Sequence, residues 1–244
     1  IDVVVAITKL GNTIILDRLT GEAIFDFEMK VAPVSKFPGE KTCEYQPSFK
    51  LPEPFARNVF KKEDVTNRSN ADRDYVMSQV NNSNYGFFPT HELNKDTIVY
   101  NLSGGAQWSG GSVDPYKNIL YVTANNIPTK LKVFASYDIT KNFEYKTNVI
   151  KTEMLKDLNG YPGVKPPWGT LSALDLNTGK IIWQVPLGYY EELKLKKEAD
   201  TGTENFGGAT ATAGGLVFAA GTLDKLIRAF DAEDGKELWS YKLP

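Results

Sequence analysis

The chain has 244 residues, a formal net charge of −2, one cysteine and one histidine. A single cysteine excludes an internal disulfide and the multi-cysteine zinc patterns, and a single histidine excludes multi-histidine metal sites. Lysines and arginines are scattered along the sequence, so we expect no nucleic acid partner. The chain starts with strand-like sequence at Ile1 rather than with Met, which suggests a segment cut from something longer.

Short strand-like runs predominate along the chain, and helical periodicity is scarce. The run that starts at Val3 is followed by others at 97–100, 118–123, 131–135 and 216–220. Two stretches between them, 32–84 and 148–167, are rich in proline and polar residues. We predict that both are long loop excursions from the fold.

One sequence unit occurs three times, and in each copy a glycine follows an aspartate by four positions and an aromatic residue follows it by eight. The copies are Asp17, Gly21 and Phe25; Asp175, Gly179 and Trp183; and Asp231, Gly235 and Trp239. The unit predicts a strand that ends at the aspartate, a turn capped by its side chain, a glycine with positive φ, and a second strand that runs to the aromatic residue.

Repeated short strands with one large aromatic ring per unit predict an all-β fold, a partial β-propeller that occupies 1–244 as one domain. Each ring would wedge against the neighbouring blade. We predict about four blades, one of them with a worn motif from about Tyr85 to Tyr137 and with Asp114 at a turn. About four blades cannot close a ring, so we expect the remaining blades in the same parent chain or in another chain.

The repeat resembles the tryptophan-docking motif of PQQ-dependent quinoprotein dehydrogenases, whose catalytic domain is an eight-bladed propeller. Segments 3–22, 107–115, 167–175 and 207–230 are similar, in order, to the C-terminal part of the propeller in membrane-bound quinoprotein glucose dehydrogenases. The resemblance implies oxidation of an aldose sugar or alcohol by hydride transfer to PQQ. It also implies a membrane quinone or cytochrome as electron acceptor, and a periplasmic location with a membrane anchor in a missing N-terminal region.

The same resemblance assigns candidate site residues. Lys9 would be the catalytic and cofactor-binding lysine, which donates to the quinone oxygens of PQQ and stabilises negative charge as hydride arrives. Asn101, Gln107 and Trp108 match positions near the cofactor, and Asp224 matches an acidic position that lines the sugar pocket. Apart from the family, Lys9 reads as a solvated strand end, Trp108 as a core residue and Asp224 as a turn residue.

The resemblance also indicates what this segment does not carry. The catalytic base and most ligands of the family's Ca²⁺ or Mg²⁺ lie upstream, so we predict no metal ligand here and expect the segment alone to be inactive. The alternative is a non-enzymatic propeller that serves as a binding scaffold, as in outer-membrane assembly lipoproteins. Lys9 and the excursion 32–84 distinguish the two, because a scaffold needs neither.

Overall fold

The computed structural model describes residues 1–37, 39–100, 102, 104–106, 109–134, 149–196 and 200–244. The strands are β1 (Val3–Ile7), β2 (Thr13–Asp17), β3 (Phe27–Val31), β4 (Tyr45–Phe49), β5 (Asp96–Tyr100), β6 (Gly111–Asp114), β7 (Ile119–Asn125), β8 (Pro128–Phe134), β9 (Val149–Met154), β10 (Gly169–Asp175), β11 (Ile181–Pro186), β12 (Ala209–Ala211), β13 (Leu216–Ala219), β14 (Leu226–Asp231) and β15 (Glu237–Lys242). The helices are α1 (Asn70–Asn81), α2 (Glu191–Leu195) and a 3₁₀ turn at Lys62–Asp64. The predicted all-β class is confirmed.

Two four-stranded antiparallel sheets form the frame of the described residues. Their strand orders are β6-β7-β10-β11 and β12-β13-β14-β15, and we call them the second and third blades. The hairpin β1-β2 carries the first repeat and is called the first blade. Strand β12 contacts β6 and β7, so the second and third blades meet along their first strands, as the blades of a propeller do.

The repeated turn forms as its residue types predict. Each repeat aspartate ends a strand, and its carbonyl accepts a hydrogen bond from the repeat glycine, 2.9, 2.8 and 3.0 Å long in the three copies. The aspartate side chains accept bonds from the turn backbone, such as the 2.8 Å bond from the Asn177 amide to Asp175. The glycines Gly21, Gly179 and Gly235 all have φ between 71° and 74°, which glycine alone adopts without strain.

The aromatic residue of one repeat packs on the glycine of the next. A Cβ atom added to Gly235 would lie 2.6 Å from the Trp183 ring. The Trp183 indole also donates to the carbonyl of Ala232, at 3.1 Å, so the ring joins the second blade to the third. Phe25 contacts Gly179 in the same way, at 3.1 Å from the corresponding Cβ position. The predicted role in blade docking is confirmed for Phe25 and Trp183 and stays a prediction for Trp239.

The ends of this row of blades have no such contact among the described residues. No atom lies within 4 Å of a Cβ built on Gly21, and the ring residue of the last repeat, Trp239, is 49% exposed. By comparison, Trp183 is 9% exposed. One glycine and one ring are therefore available for further blades.

The prediction of a separate blade from about Tyr85 to Tyr137 is wrong. Strands β6 and β7 of this stretch pair with β10 and β11 of the second repeat, whereas β5 and β8 join β9 in another sheet. The error arises because the connection from β7 to β10 is itself long enough to hold two strands. The described strands that carry or pair with the repeat thus form three blades. Asp114 does lie at the predicted turn, where it accepts from the Tyr116 amide at 2.9 Å.

Both predicted excursions contain regular structure and are joined to each other by polar contacts. The first includes β4 and α1, and the second includes β9. Arg68 forms a 2.9 Å ion pair with the fully buried Asp157 carboxylate. Arg57 donates to the carbonyls of Lys165 and Pro166, at 2.7 and 3.2 Å. No helix in the described parts of the chain is both long and apolar enough to cross a bilayer.

Candidate functional site

Equivalent turns of the three blades lie at one end of the propeller. They follow β1, β7 and β13, the strands that pair with the repeat-aspartate strands β2, β10 and β14, and they comprise residues 8–12, the described part of 126–168, and 220–225. Because strands alternate in direction in each antiparallel sheet, these turns and the connections between blades face the same side. We call this end the loop face.

Lys9 lies in the first of these turns. The turn is closed by hydrogen bonds from the Thr8 amide to the Asn12 carbonyl, at 2.9 Å, and from the Gly11 amide to the Thr8 carbonyl, at 3.1 Å. The Gly105 amide donates to the carbonyl of Lys9 at 2.7 Å, which fixes the lysine backbone. Its side chain is exposed, and no described carboxylate forms an ion pair with it. The structure thus presents a cation on a fixed backbone at the loop face.

A hydrogen-bonded path leads from Lys9 towards the third blade. The amide of Asn125, at the end of β7, donates to the Gly105 carbonyl at 2.8 Å. The Asn125 side chain accepts from the Asn205 amide and donates to the Asn205 carbonyl, both at 2.9 Å. Both asparagines are buried. This path holds the turns of the first and second blades and the connection to the third blade in a fixed relation.

A small cleft of about 210 Å³ lies beside this path. Gly104, Asn125 and Glu204 line it together with strands β8 and β9. Burial raises the pKa of Glu204 above the ordinary glutamate range. Sequence reasoning missed Glu204, because a single acidic residue in a loop has no motif and reads as solvated.

Asp224, the second predicted site residue that the structure describes, lies in the turn after β13. Its carboxylate forms an ion pair with Arg228, and it accepts from the Thr222 hydroxyl at 2.6 Å and the Tyr189 amide at 3.1 Å. Burial favours the neutral acid, but the hydrogen bonds from Arg228 and Thr222 outweigh it and lower the pKa of Asp224. The Asp224 carboxylate therefore stabilises the turn after β13 at the loop face. Its contact with a sugar or with the cofactor stays a prediction.

The other three predicted site residues, Asn101, Gln107 and Trp108, lie outside the described residues. Their roles stay predictions. Within the described ranges, no group of three or more histidine, cysteine or acidic residues is arranged to hold a metal ion. The site in the structure therefore consists of the Lys9 turn, the asparagine path and the small cleft.

Comparison with known families gives one match over the whole chain. The sequence profile of the PQQ family described as glucose, ethanol and alcohol dehydrogenase, β-propeller domain, matches residues 1–244.

Individual relatives agree with this match. The chain is 30% identical to a quinate/shikimate dehydrogenase (quinone) of Acinetobacter baylyi, over 97% of the chain and 32% of the relative. It is 28% identical to the large subunit of a glycerol dehydrogenase of Gluconobacter oxydans, over 97% and 36%. It is 24% identical to a quinoprotein glucose dehydrogenase of Escherichia coli, over 100% and 33%. The chain spans about a third of the length of these relatives.

Solved structures support the fold. A europium-containing methanol dehydrogenase superposes with a TM-score of 0.53 at 20% identity, over 99% of this chain and 32% of its own. A quinohemoprotein alcohol dehydrogenase from Comamonas testosteroni gives a TM-score of 0.50 at 18% identity, over 98% and 28%. The repeat, the docked blades and the profile match over every residue agree, and the chain belongs to the PQQ β-propeller family of quinoprotein dehydrogenases.

Proposed function

We propose that this chain is part of a PQQ-dependent dehydrogenase that oxidises an aldose sugar or an alcohol. Electrons would pass to a membrane quinone or a cytochrome, and the holoenzyme would bind Ca²⁺ or Mg²⁺ mainly through residues of other blades. Those blades would come from the same parent chain or another chain and would dock on Gly21 and Trp239. We further propose a periplasmic location with a membrane anchor outside this segment.

The position of Lys9 is the observation that carries the proposal. It is an exposed cation without a described ion-pair partner, and its backbone is hydrogen-bonded to Gly105. PQQ is a polyanionic quinone, so an exposed ammonium group carried on a fixed backbone suits it. The described residues therefore fit part of a PQQ site, and Asn101, Gln107 and Trp108 are proposed to complete this side of it.

The chemistry divides between the cofactor and the protein. When bound, PQQ with its divalent ion accepts a hydride from the substrate carbon. Lys9 would donate hydrogen bonds to the quinone oxygens and stabilise the negative charge that develops there. The asparagine path holds the Lys9 turn relative to the second and third blades. A base on another blade would remove the hydroxyl proton of the sugar or alcohol.

The test uses the holoenzyme with all blades present, loaded with PQQ and Ca²⁺ or Mg²⁺. Dye reduction is assayed with glucose, glycerol, quinate and simple alcohols, and the dissociation constant of PQQ is measured separately. Lys9→Ala should weaken PQQ binding by about tenfold or more, since it removes a charge-assisted interaction. The matched control is Lys117→Ala, an exposed lysine in the turn between β6 and β7. Absence of PQQ binding, with Lys9→Ala making no difference, would favour the scaffold alternative. Equal PQQ binding by the two variants would contradict the role of Lys9.

A further inference from the structure

The small cleft beside the asparagine path contains a carboxylate that no described group neutralises. Glu204 lines this cleft, and none of the described residues donates a hydrogen bond to its carboxylate or forms an ion pair with it. We propose that Glu204 binds hydroxyl groups of a small uncharged polyol in this cleft and repels substrates that carry a carboxylate. This inference rests on the proposed function and narrows its substrate to neutral polyols and aldoses.

Glu204 lies at the loop face because of its place before β12. Strand β12 begins at the loop face, since its antiparallel partner β13 ends there. Gly104 has the equivalent place before β6, and β6 contacts β12. The first strands of neighbouring propeller blades converge on the central axis, which brings Glu204 and Gly104 together in the lining of one cleft. Gly105, next in the chain, donates to the Lys9 carbonyl at 2.7 Å, so the cleft lies close to the Lys9 turn.

The backbone on both sides of Glu204 is fixed by hydrogen bonds. The Thr203 amide donates to the Leu187 carbonyl at 2.9 Å, and the Asn205 amide donates to the Asn125 side chain at 2.9 Å. Thr203 and Asn205 are completely buried. The Glu204 side chain is therefore presented to the cleft from a rigid support, which is what recognition of a small ligand requires.

The two carboxylates that line the cleft differ in how their charge is balanced. Glu153 forms ion pairs with Lys130 at 2.8 Å and Lys151 at 3.6 Å, and the bond from Lys130 lowers its pKa. Burial alone acts on Glu204 and raises its pKa. Its neighbour Tyr190 adds no charge, because burial and the Glu204 carboxylate raise the pKa of Tyr190 to about 12. When ionised, Glu204 is therefore the unbalanced negative charge of the cleft.

The lining of the cleft matches the hydroxyl groups of a polyol. Thr129, Thr152 and Asn125 line it together with Glu204. Threonine hydroxyls donate and accept hydrogen bonds, as polyol hydroxyls do, whereas an ionised carboxylate only accepts. A polyol hydroxyl would supply the donor that Glu204 lacks. A hydroxy acid would instead bring a second negative charge next to Glu204, which is repulsive.

The size of the cleft also favours a small ligand. Its volume is about 210 Å³, which is below the range of roughly 300–1,000 Å³ for pockets that hold drug-sized ligands. A water molecule occupies about 30 Å³ in the liquid, so the cleft has room for only a few waters. A polyol of a few carbons, or one edge of a sugar ring, fits this space.

The experiment compares kcat/KM for glycerol and quinate in the holoenzyme with all blades present, loaded with PQQ and Ca²⁺ or Mg²⁺. Glu204→Gln should lower kcat/KM for glycerol about fivefold, because a neutral amide oxygen accepts a hydroxyl bond more weakly than a carboxylate does. It should raise kcat/KM for quinate about tenfold, because a like charge is removed. Glu191→Gln, the same change at an exposed residue of α2, should alter neither value more than about twofold.

A binding measurement separates charge repulsion from the oxidation step. Cyclohexanecarboxylate has the ring and the carboxylate of quinate but no hydroxyl group to oxidise. Its dissociation constant for the same holoenzyme is measured by equilibrium dialysis. The constant should fall about tenfold in Glu204→Gln and stay unchanged in Glu191→Gln.

The outcomes separate this inference from the proposed function. An unchanged preference between glycerol and quinate in Glu204→Gln would overturn the role of Glu204, and so would unchanged binding of cyclohexanecarboxylate. Equal effects of Glu204→Gln and Glu191→Gln would overturn it too, because they would report the net charge of the protein rather than the cleft. No dye reduction by the unmodified holoenzyme with any sugar or alcohol would instead overturn the proposed function, and dialysis would then decide alone whether Glu204 repels anions.

Discussion

The blades and the excursions of this chain are held together by different means. In the blades, an aspartate, a glycine and an aromatic ring make the same local contacts three times, and each docked ring contacts a glycine of the next repeat. In the excursions, contacts join residues far apart in sequence, such as Arg68 with Asp157 and Arg57 with Lys165. The frame is therefore encoded locally and repeatedly, whereas the surfaces around the site depend on single long-range contacts.

The largest effect is expected in the excursions. Arg68→Met would leave the Asp157 carboxylate, which is completely buried, without its ion-pair partner. Loss of one member of a buried pair costs about 4 kcal/mol. The free energy of unfolding, from urea titration, should fall by about that amount. The exposed pair Arg18–Asp2 supplies the control. Arg18→Met should change the free energy of unfolding by less than about 1 kcal/mol. If Arg68→Met and Arg18→Met lowered the free energy of unfolding equally, the buried ion pair would not hold the excursions together as argued.

The next effect tests the blades. Gly235→Ala would place a methyl group 2.6 Å from the Trp183 ring at a residue with φ of 74°, so overpacking adds to backbone strain. We expect a loss of about 3 kcal/mol. Gly21→Ala has the same φ but no neighbour within 4 Å, so in this chain it should cost only about 1 kcal/mol. A cost for Gly21→Ala that matches Gly235→Ala would show that ring docking contributes nothing.

A smaller effect concerns Asp224 and depends on pH. Its folded pKa lies below the unfolded value, so the stability that it contributes is fully present above the unfolded pKa of about 3.9 and is lost as the pH falls through the folded pKa. Asp224→Asn should cost about 2 kcal/mol at pH 7, because the neutral amide interacts more weakly with Arg228. In thermal unfolding at several pH values, the difference should shrink below about pH 4. A difference that does not vary with pH would contradict the ion pair.

The smallest effect on stability is expected at the proposed cofactor residue. Lys9 is exposed and has no ion pair with a described carboxylate. Lys9→Ala should therefore change the free energy of unfolding by less than about 0.5 kcal/mol. A large loss of stability would mean that Lys9 belongs to the frame rather than to the site.

The same contrast explains how much was readable from sequence. The turns at Asp17, Asp175 and Asp231 were predictable because residue type alone fixes an Asx cap and a positive-φ glycine. The second blade was not predictable, because β7 pairs with β10 across a long connection that itself contains β8 and β9. For the site, sequence resemblance pointed to Lys9 and Asp224. It missed Glu204, whose environment arises only when distant segments pack together.

The proposed cofactor position can be tested most directly by chemical labelling. Acetylation of individual lysines is followed by mass spectrometry in the apo protein and after loading with PQQ and Ca²⁺ or Mg²⁺, with all blades present. Lys9 should be acetylated about tenfold more slowly when PQQ is bound, while Lys117, in the turn between β6 and β7, should react at an unchanged rate. Equal acetylation of Lys9 with and without bound PQQ would contradict a cofactor site at the loop face.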